Sequence, residues 1–355
     1  MAIEKTVLRA GVVGAGTGGL LSLRALQASE RYELVGVADL RPGPLERVRG
    51  EFPGLELYAS GEGLLEAASP DVVCVSTFAG SHAEVAEQAM AAGVRGLLLE
   101  KPVCDTWASG QTVLDQLKRR GLPVVVPHGL LVRSGPKELL RRLRAGEVGS
   151  IELIDIQCTG WDLINAGIHW TDFALAALGD DKVEWVINAC DAHTRTFRDG
   201  LEVETEAVTY AGTRSGARIV MHTGDSIPLS RPEKALVFRI YGSEGSAEFW
   251  GWEDRFRLRR SEQPEGELFR IPSFAASPHQ IYLEQLAEMI ASGQADYELP
   301  ELSLAALEMC EAAYVSNRHR CAVRLPLAGF VAPPQVSWDP GASYRGMGGR
   351  DGRAL

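Results

Sequence analysis

The sequence lacks the features that mark metal-binding, nucleic-acid-binding and membrane proteins. Its six cysteines are scattered without Cys-x-x-Cys or Cys/His spacing, so we expect reduced, mostly buried thiols and no metal site. The formal net charge is −11 over 355 residues, which argues against nucleic acid or an anionic membrane as a partner. No basic segment followed by a long apolar stretch opens the chain, and no run could cross a bilayer. A cytoplasmic location is therefore the expectation.

The length and the order of apolar runs predict two domains and an arm. Residues 1–127 alternate short apolar strands with amphipathic helices, as in a doubly wound parallel sheet of the Rossmann type. Residues 128–330 contain period-two runs and flanking helices, which predict an α+β domain with a large, mostly antiparallel open sheet. Residues 331–355 are rich in Gly and Pro and lack apolar periodicity, so we expect an arm or a disordered tail. The fold class is therefore α/β.

A glycine-rich turn follows the first predicted strand. The strand 8–13 leads into Gly14, Ala15, Gly16, Thr17, Gly18 and Gly19, which open a helix. In this setting the first glycine permits the tight turn, the second lets the backbone approach a pyrophosphate, and the third lets the helix pack on the strand. The turn therefore predicts a dinucleotide site.

The second predicted strand, 34–38, ends at Asp39. A carboxylate at this point can bind the ribose hydroxyls and repel a 2′-phosphate, which favours NAD over NADP. Arg41 weakens this preference, because a guanidinium can receive a phosphate or stack on adenine.

Glu100, Lys101 and Pro102 come directly after the apolar strand 97–99. Since ligands of parallel sheets gather at the carboxyl ends of the strands, Lys101 is expected to face a bound cofactor. Pro102 restricts the Lys101 backbone and is compatible with a cis bond. An ordinary charged turn is the alternative for the tripeptide alone.

Residues 161–172 carry the side chains best suited to meet Lys101. If a helix starts in this segment, Asn165 and His169 share a face and Asp172 lies near His169. An amide and an imidazole on one face could hold a hydroxyl and remove its proton. The alternative is a helix N-terminus that Asn165 caps, with a packed histidine.

These motifs together resemble the glucose-fructose oxidoreductase, inositol dehydrogenase and rhizopine-catabolism family, abbreviated Gfo/Idh/MocA. The resemblance reaches nearly the whole chain up to residue 330 and includes Ser81-His82 and Gly242-Ser243-Glu244-Gly245. It implies catalytic roles for Lys101, for His169 and for the residue four before it. That residue is aspartate in many members and Asn165 here, so His169 must act with Lys101 and whatever orients it.

The implied activity is hydride transfer between NAD, or NADP less favourably, and a secondary alcohol of a sugar, cyclitol or sugar derivative. His169 is then the general base, Lys101 binds the developing alkoxide, Asn165 positions the substrate oxygen, and Asp172 orients His169 or supports the helix start. Two alternatives stay open. One is an NAD-dependent glycosidase that oxidises C3 transiently, and the other is a non-catalytic regulator that binds dinucleotide and sugar.

Further candidates for the site follow from position alone. Thr77 and His82 are expected beside the cofactor together with Glu100, with ordinary helix-start packing as the alternative for His82. The weaker candidates for a sugar pocket are His128, Arg133, Trp161, Asp162 and His222. Because an open sheet with one covered face leaves the other partly apolar, we expect a homodimer or homotetramer.

Overall fold

A computed structural model describes residues 7–191 and 196–332 of the chain. The predicted arm, 331–355, lies outside these ranges except for Val331 and Ala332. No helix within the two ranges is long and apolar enough to cross a membrane.

The first sheet of the described chain has six parallel strands, as predicted. They are β1 (Leu8–Val13), β2 (Tyr32–Ala38), β3 (Leu57–Tyr58), β4 (Val72–Val75), β5 (Gly96–Leu99) and β6 (Val124–Val125). The helices between them are α1 (Thr17–Gln27), α2 (Pro42–Glu51), α3 (Gly61–Ala68), α4 (His82–Ala91) and α5 (Trp107–Arg120). Val12, Cys74 and Leu98 on three central strands are wholly buried, which is why these strands read as continuous apolar runs.

The strand order of this sheet indicates where a ligand crevice lies. The order is β3-β2-β1-β4-β5-β6, so the direction of winding reverses between β1 and β4. The last residues of these two strands, Val13 and Val75, are paired neighbours. Loops that leave neighbouring strands at such a reversal diverge to opposite faces and leave a crevice at the carboxyl edge.

The second sheet of the described chain has nine strands and is mostly antiparallel, as predicted. After α6 (Gly129–Val132) and α7 (Ser134–Arg144), the chain forms β7 (Ile151–Thr159), α8 (Gly167–Leu178), β8 (Val183–Asp191), β9 (Thr196–Arg198), β10 (Leu201–Val203), β11 (Glu206–Thr213), β12 (Arg218–Gly224), β13 (Leu236–Gly242), β14 (Gly245–Phe249), β15 (Arg255–Arg260), β16 (Gln263–Arg270), α9 (Pro278–Ser292), α10 (Glu298–His319) and β17 (Val323–Arg324). The sheet order is β16-β15-β14-β13-β7-β12-β11-β8-β17, with β7 and β12 parallel, and β9 and β10 form a separate hairpin.

Four of these strands do not follow the period-two pattern from which the second sheet was predicted. β9, β10 and β17 have only two or three residues, and β16 contains Pro264 and Gly266, so none shows the alternation on which the prediction depends.

Helix α9 packs on the first sheet although it follows the second sheet in the chain. Its residues Leu283, Leu286 and Ala287 are buried in one hydrophobic core with Ala10 and Val12 of β1. The assignment of 128–330 to a single second domain does not anticipate this contact. Its consequence is that the first residues of α9 reach the crevice of the first sheet.

The second sheet has one covered and one open face. In β8, Val186 and Asn188 are buried on the helix-covered side, whereas Ile187 between them is 44% exposed. Val208 and Tyr210 of β11 are also exposed. The open face is therefore partly apolar, and association through it stays a prediction.

Candidate active site

The turn between β1 and α1 has the geometry that its glycines require. Gly14 has φ +102°, and a Cβ there would lie 2.3 Å from the carbonyl oxygen of Ser76. A Cβ on Gly19 would lie 1.9 Å from the carbonyl oxygen of Gly14, so helix and strand pack at backbone distance. A Cβ on Gly16 would meet nothing within 4 Å. Open space therefore adjoins this glycine at the start of α1.

The N-terminus of α1 fits an anionic group. Its cap residue, Gly16, provides no side-chain hydrogen bond, and its first turn contains no acidic residue. The first backbone N–H groups of the helix thus lack intrahelical partners, and the helix dipole favours negative charge there. Gly16, Thr17 and Gly18 line the adjoining cavity, whereas Ala15 and Gly19 lie beneath it.

Asp39 lies at the end of β2 with its carboxylate fixed by backbone donors. Oδ2 accepts a hydrogen bond from the Ala15 N–H at 2.8 Å, and Oδ1 accepts one from the Arg41 N–H at 2.8 Å. Burial alone would raise the pKa of Asp39, but these hydrogen bonds and the Arg41 charge hold the pKa below its ordinary value. Arg41 stays exposed and lies over the Phe78 ring, 5.3 Å from its centroid.

A cavity of about 900 Å³ lies between the first sheet and the second half of the chain. The glycine turn, Asp39 and Arg41 line one part of it. Lys101, Asn165 and His169 line another part. The structure thus brings a nucleotide-type turn and a set of proton-transfer side chains into one space.

Lys101 enters this cavity from the loop after β5. The Glu100 N–H continues the sheet pattern by donating to the carbonyl oxygen of Val75 at 2.9 Å, and the Lys101–Pro102 bond is cis. Lys101 Nζ donates to the backbone carbonyl oxygen of Asn165 at 2.9 Å. The ammonium group therefore connects the first sheet with the loop before α8.

Glu100 is tied to the second half of the chain by His279, the second residue of α9. His279 Nε2 lies 2.6 Å from Glu100 Oε1, and both residues line the cavity. Burial alone would raise the pKa of Glu100, but the hydrogen bond and charge of His279 keep the pKa below its usual range. Glu100 is therefore ionised and paired.

Thr77 lines the cavity, but His82 does not. His82 is buried, with Nε2 3.0 Å from the Thr77 carbonyl oxygen and Nδ1 3.0 Å from the Pro102 carbonyl oxygen. Burial lowers its pKa. The expected place of His82 beside the cofactor is corrected, because its ring joins the loops that carry Thr77 and Lys101 from behind.

His169 lies in the first turn of α8. Its ring is 5.2 Å from the ring of His128 and 5.2 Å from that of Trp252, in edge-on arrangements. Nδ1 is buried, and no group of the described chain hydrogen-bonds to it. Burial first, and then the positive charge of Lys101, hold the pKa of His169 well below its ordinary value. His169 is therefore neutral at neutral pH and can accept a proton.

Asp172 does not contact the cavity, contrary to its expected catalytic place. Its carboxyl oxygens are wholly buried and unbonded within the described chain, so the expected hydrogen bond to His169 is not formed. The nearest basic group is Nδ1 of His128, 3.7 Å from Oδ2. Burial raises the pKa of Asp172 well above its ordinary value and lowers that of His128 to about 3. Burial therefore disfavours the charged form of both side chains.

Asn165 lies before α8, so the helical spacing proposed for Asn165 and His169 is wrong. The helix begins at Gly167, and the side chain of Asn165 does not cap it. The N–H groups of Ile164 and Asn165 instead donate to Oδ1 of Asp162, at 3.1 and 2.7 Å, which makes a side-chain turn. Asp162 itself is wholly buried and lies outside the cavity lining, unlike a pocket residue.

The other expected pocket residues are dispersed. Trp161 lines the cavity, with the Arg198 guanidinium 5.6 Å from its ring. His128 is buried beside Ser303, with Nε2 2.8 Å from the hydroxyl. Arg133 pairs with Asp254 at 2.9 Å outside the cavity. His222 is corrected most clearly, because its ring pairs with Glu206 at 2.7 Å on the side of β12 opposite the buried Met221.

Several residues of the cavity wall were not indicated by the sequence pattern. Those from the second half of the chain are Asp199, Leu201, Trp252, Ser277, Pro278 and His279. Only Ser277 carried a local signal, because a serine followed by proline is typical of a helix start and its hydroxyl does accept a bond from the Gln280 N–H. Trp252 and His279 are brought to the site by tertiary contacts alone.

Residues 8–128, which include the glycine turn, Asp39 and Lys101, match the sequence model of the Gfo/Idh/MocA oxidoreductase family with its NAD-binding Rossmann fold. The part of the chain that forms the first sheet therefore has the NAD-binding Rossmann fold of that oxidoreductase family. The family resemblance expected from the motifs is thereby confirmed, and so is a nicotinamide dinucleotide as the cofactor.

Relatives of the Gfo/Idh/MocA family match most of the chain at low identity. The rhizopine catabolism protein MocA of Rhizobium meliloti is 24% identical over 87% of this chain and 94% of its own length. Inositol 2-dehydrogenase of Rhizobium meliloti strain 1021 is 22% identical over 67% of this chain and 74% of its own. The WlbA dehydrogenase of Chromobacterium violaceum, solved with NADH and UDP-GlcNAcA, has a TM-score of 0.75 at 20% identity over 92% of this chain and 98% of its own. At that identity the structural likeness shows the fold alone.

Proposed function

We propose that this oxidoreductase transfers a hydride between NAD and a secondary alcohol of a sugar, cyclitol or sugar derivative. One observation carries the proposal. The cavity that adjoins the glycine turn and Asp39 is also lined by Lys101 and His169, so a group that takes up a hydride and groups that move a proton would meet in one space. The substrate class is supported by the relative named inositol 2-dehydrogenase and by the relative solved with a nucleotide sugar.

The residues at the first sheet fit the cofactor. Gly16 and the N-terminus of α1 would hold the pyrophosphate, and Asp39 would hold the ribose hydroxyls. When bound, the nicotinamide supplies the hydride acceptor or donor. Because Asp39 is ionised and faces the cavity, we expect a 2′-phosphate to be disfavoured.

His169 is the proposed proton acceptor. It is neutral at neutral pH, and it lines the cavity. The same burial that lowers its pKa makes its imidazolium form costly, so the proton is expected to pass onward to solvent during turnover. Lys101 Nζ lies within hydrogen-bond distance of the Asn165 backbone and carries the positive charge that an alkoxide would meet.

The first experiment is a screen of sugars, cyclitols and nucleotide sugars with NAD, read by the absorbance of reduced cofactor. The best substrate is then assayed with His169→Gln and with His222→Gln as a matched control on the open sheet face. We expect His169→Gln to lose about 10²- to 10⁴-fold in kcat, the range for a positioned acid or base, and His222→Gln to retain activity.

Other outcomes point to other functions. Release of an aglycone without net formation of NADH indicates an NAD-dependent glycosidase. Binding of NAD and a sugar without turnover of any substrate indicates a regulator. Equal activity of the two histidine variants removes His169 from the mechanism.

A further inference from the structure

Asn165 replaces the aspartate that many members of the family carry, yet a carboxylate lies against it. Asp162, three residues earlier, is wholly buried. Asn165 Nδ2 lies 3.2 Å from both of its carboxyl oxygens. Arg198 of β9 lies 3.2 Å from Oδ2 on the other side. A buried carboxylate and a buried amide thus form one chain with a partly exposed guanidinium.

This chain fixes which way the Asn165 amide points. The Asp162 carboxylate receives N–H groups from Ile164, from the Asn165 backbone and from Arg198, so both of its oxygens act as acceptors. Only the NH₂ end of the amide can face such a group, because the carbonyl oxygen would be repelled. No group of the described chain hydrogen-bonds to Asn165 Oδ1, and Asn165 lines the cavity beside Lys101 and His169. Its free acceptor is therefore available to a ligand.

The hairpin that carries Arg198 is itself held in place. Arg198 also pairs with Asp225 and lies 5.6 Å from the Trp161 ring. The hairpin turn contacts the first half of the chain, because a Cβ on Gly200 would lie 2.9 Å from Phe78. Leu201, which follows this turn, lines the cavity. The guanidinium is thus anchored at the cavity wall rather than free in solvent.

We propose that Arg198 and Asp162 are positioning residues that lock the Asn165 amide with Oδ1 toward the substrate. The site then selects substrates that donate a hydrogen bond from a hydroxyl near the reacting carbon. This inference rests on the proposed dehydrogenase function and adds a polar requirement to it. Restoring the aspartate common in the family is harmful in this chain, because two carboxylates would face each other.

Exchanging the carboxylate and the amide between positions 162 and 165 tests this arrangement. In Asn165→Asp, the new carboxylate faces Asp162, which Arg198 contacts on Oδ2. Lys101 lies close by on the Asn165 backbone, and Glu204 accepts a hydrogen bond from the Leu163 N–H. On the side of Asp162, the added negative charge has no donor to replace the lost amide. In the double variant Asp162→Asn with Asn165→Asp, one amide and one carboxylate again face each other, in exchanged positions.

The test is a double-mutant cycle on the polyol that the wild-type protein oxidises fastest in the NAD screen. We expect each single variant to lose roughly 10- to 100-fold in kcat/KM, which is the range for one hydrogen bond to a charged group. The double variant should have a higher kcat/KM than either single variant. Asp115→Asn, at a half-buried position of α5 outside the cavity lining, is the matched control and should stay at wild-type activity. A double variant as impaired as the product of the two single losses would overturn the inference.

A second measurement addresses specificity. The wild-type protein should prefer the polyol over its monodeoxy analogues by about 10²-fold or more at one position, because a site built to bind a hydroxyl rejects an analogue that lacks it. Arg198→Met should reduce that preference. An unchanged preference would show that Arg198 only supports the hairpin.

Thermal unfolding without any ligand separates this inference from the proposed function. Asn165→Asp should lower Tm in the wild-type background and lower it less when Asp162 is Asn. This readout does not need turnover, so it stands if no polyol is oxidised. Equal Tm losses in both backgrounds would count against the amide lock, whereas absent turnover alone would count against the dehydrogenase.

Discussion

The two parts of the cavity are built in different ways. In the cofactor part, the contacts join residues that are close in sequence. The Ala15 N–H donates to Asp39, 24 residues away, and Gly19 packs on Gly14. In the substrate part, Lys101 binds Asn165 across 64 residues and Glu100 meets His279 across 179. The cofactor part is a local motif whose close backbone contacts leave no room for added side chains at Gly14 and Gly19. The other is an assembly of distant side chains whose charges depend on one another.

The largest expected effect is on the substrate part. Lys101→Met keeps the length of the side chain and removes its charge. We expect kcat with NAD and the best polyol to fall by about 10²- to 10⁴-fold, because the alkoxide loses its positive partner. NADH affinity, measured by fluorescence titration, should change little. Lys137→Met, on α7, is the control, and a wild-type kcat for Lys101→Met would contradict the proposal.

The second and third glycines of the motif in the cofactor part should respond in different ways to alanine. Gly19→Ala forces a Cβ against the Gly14 carbonyl group and should lower the free energy of unfolding by about 1–3 kcal/mol without any ligand. Gly16→Ala meets open space and should leave stability nearly unchanged while weakening NAD binding, since the pyrophosphate is expected to approach there.

Urea unfolding without cofactor and NAD titration of both variants provide the check. A destabilised Gly16→Ala protein, or one with normal NAD affinity, would contradict the assignment of the pyrophosphate site.

Two buried carboxyl groups should give opposite pH dependences of stability. The pKa of Glu100 lies below its ordinary 4.5, so the stability it contributes is present above that pH and is lost as the pH falls through its folded pKa. The pKa of Asp172 lies well above its ordinary 3.8, so the stability it contributes is present below that pH and is lost as the pH rises. Each titrating group contributes a slope of up to about 1.4 kcal/mol per pH unit.

Glu100→Gln and Asp172→Asn test this contrast. Between pH 4 and pH 7, Asp172→Asn should gain stability relative to the wild-type protein as the pH rises. Glu100→Gln should lose stability relative to the wild-type protein over the lowest part of that range as the pH rises. Urea unfolding at a series of pH values measures both, and relative slopes of the same sign would refute the assigned protonation states.

The smallest expected effect concerns the choice of cofactor. Asp39→Ser removes the charge that opposes a 2′-phosphate and releases Arg41 from its ion pair. We expect the ratio of kcat/KM for NAD to that for NADP to fall by about tenfold, or roughly 1.4 kcal/mol. An unchanged ratio would show that Asp39 does not face the 2′ position.

The sequence predicted the first sheet well because its signals are local. The boundaries of β1 match the prediction, and β2 and β5 end where predicted, since a buried parallel strand is a short apolar run bounded by turn residues. The second sheet was predicted less completely. Its short strands and β16 have no alternation, and their pairing partners decide that they are strands.

For the candidate site, the sequence indicated several residues of the cavity wall but not the contacts between them. The sequence pattern indicated Asn165, His169 and Lys101, which the structure brings to one cavity. It placed Asn165 on a helix, whereas the Asp162 side chain takes up the backbone N–H groups and delays the helix until Gly167. It also assigned His222 to the pocket, although the register of β12 turns that ring to the open face.

The sequence by itself determined the α/β class, the family resemblance and the glycine turn, because the strand, the turn and the helix of this motif follow one another directly in the chain. Only the tertiary structure decided that Glu100 is hydrogen-bonded and Asp172 is not, that His169 stays neutral, and that Asp162 faces Asn165 rather than the cavity. Burial and charge pairing between distant residues set these properties, and both arise only when the chain is folded.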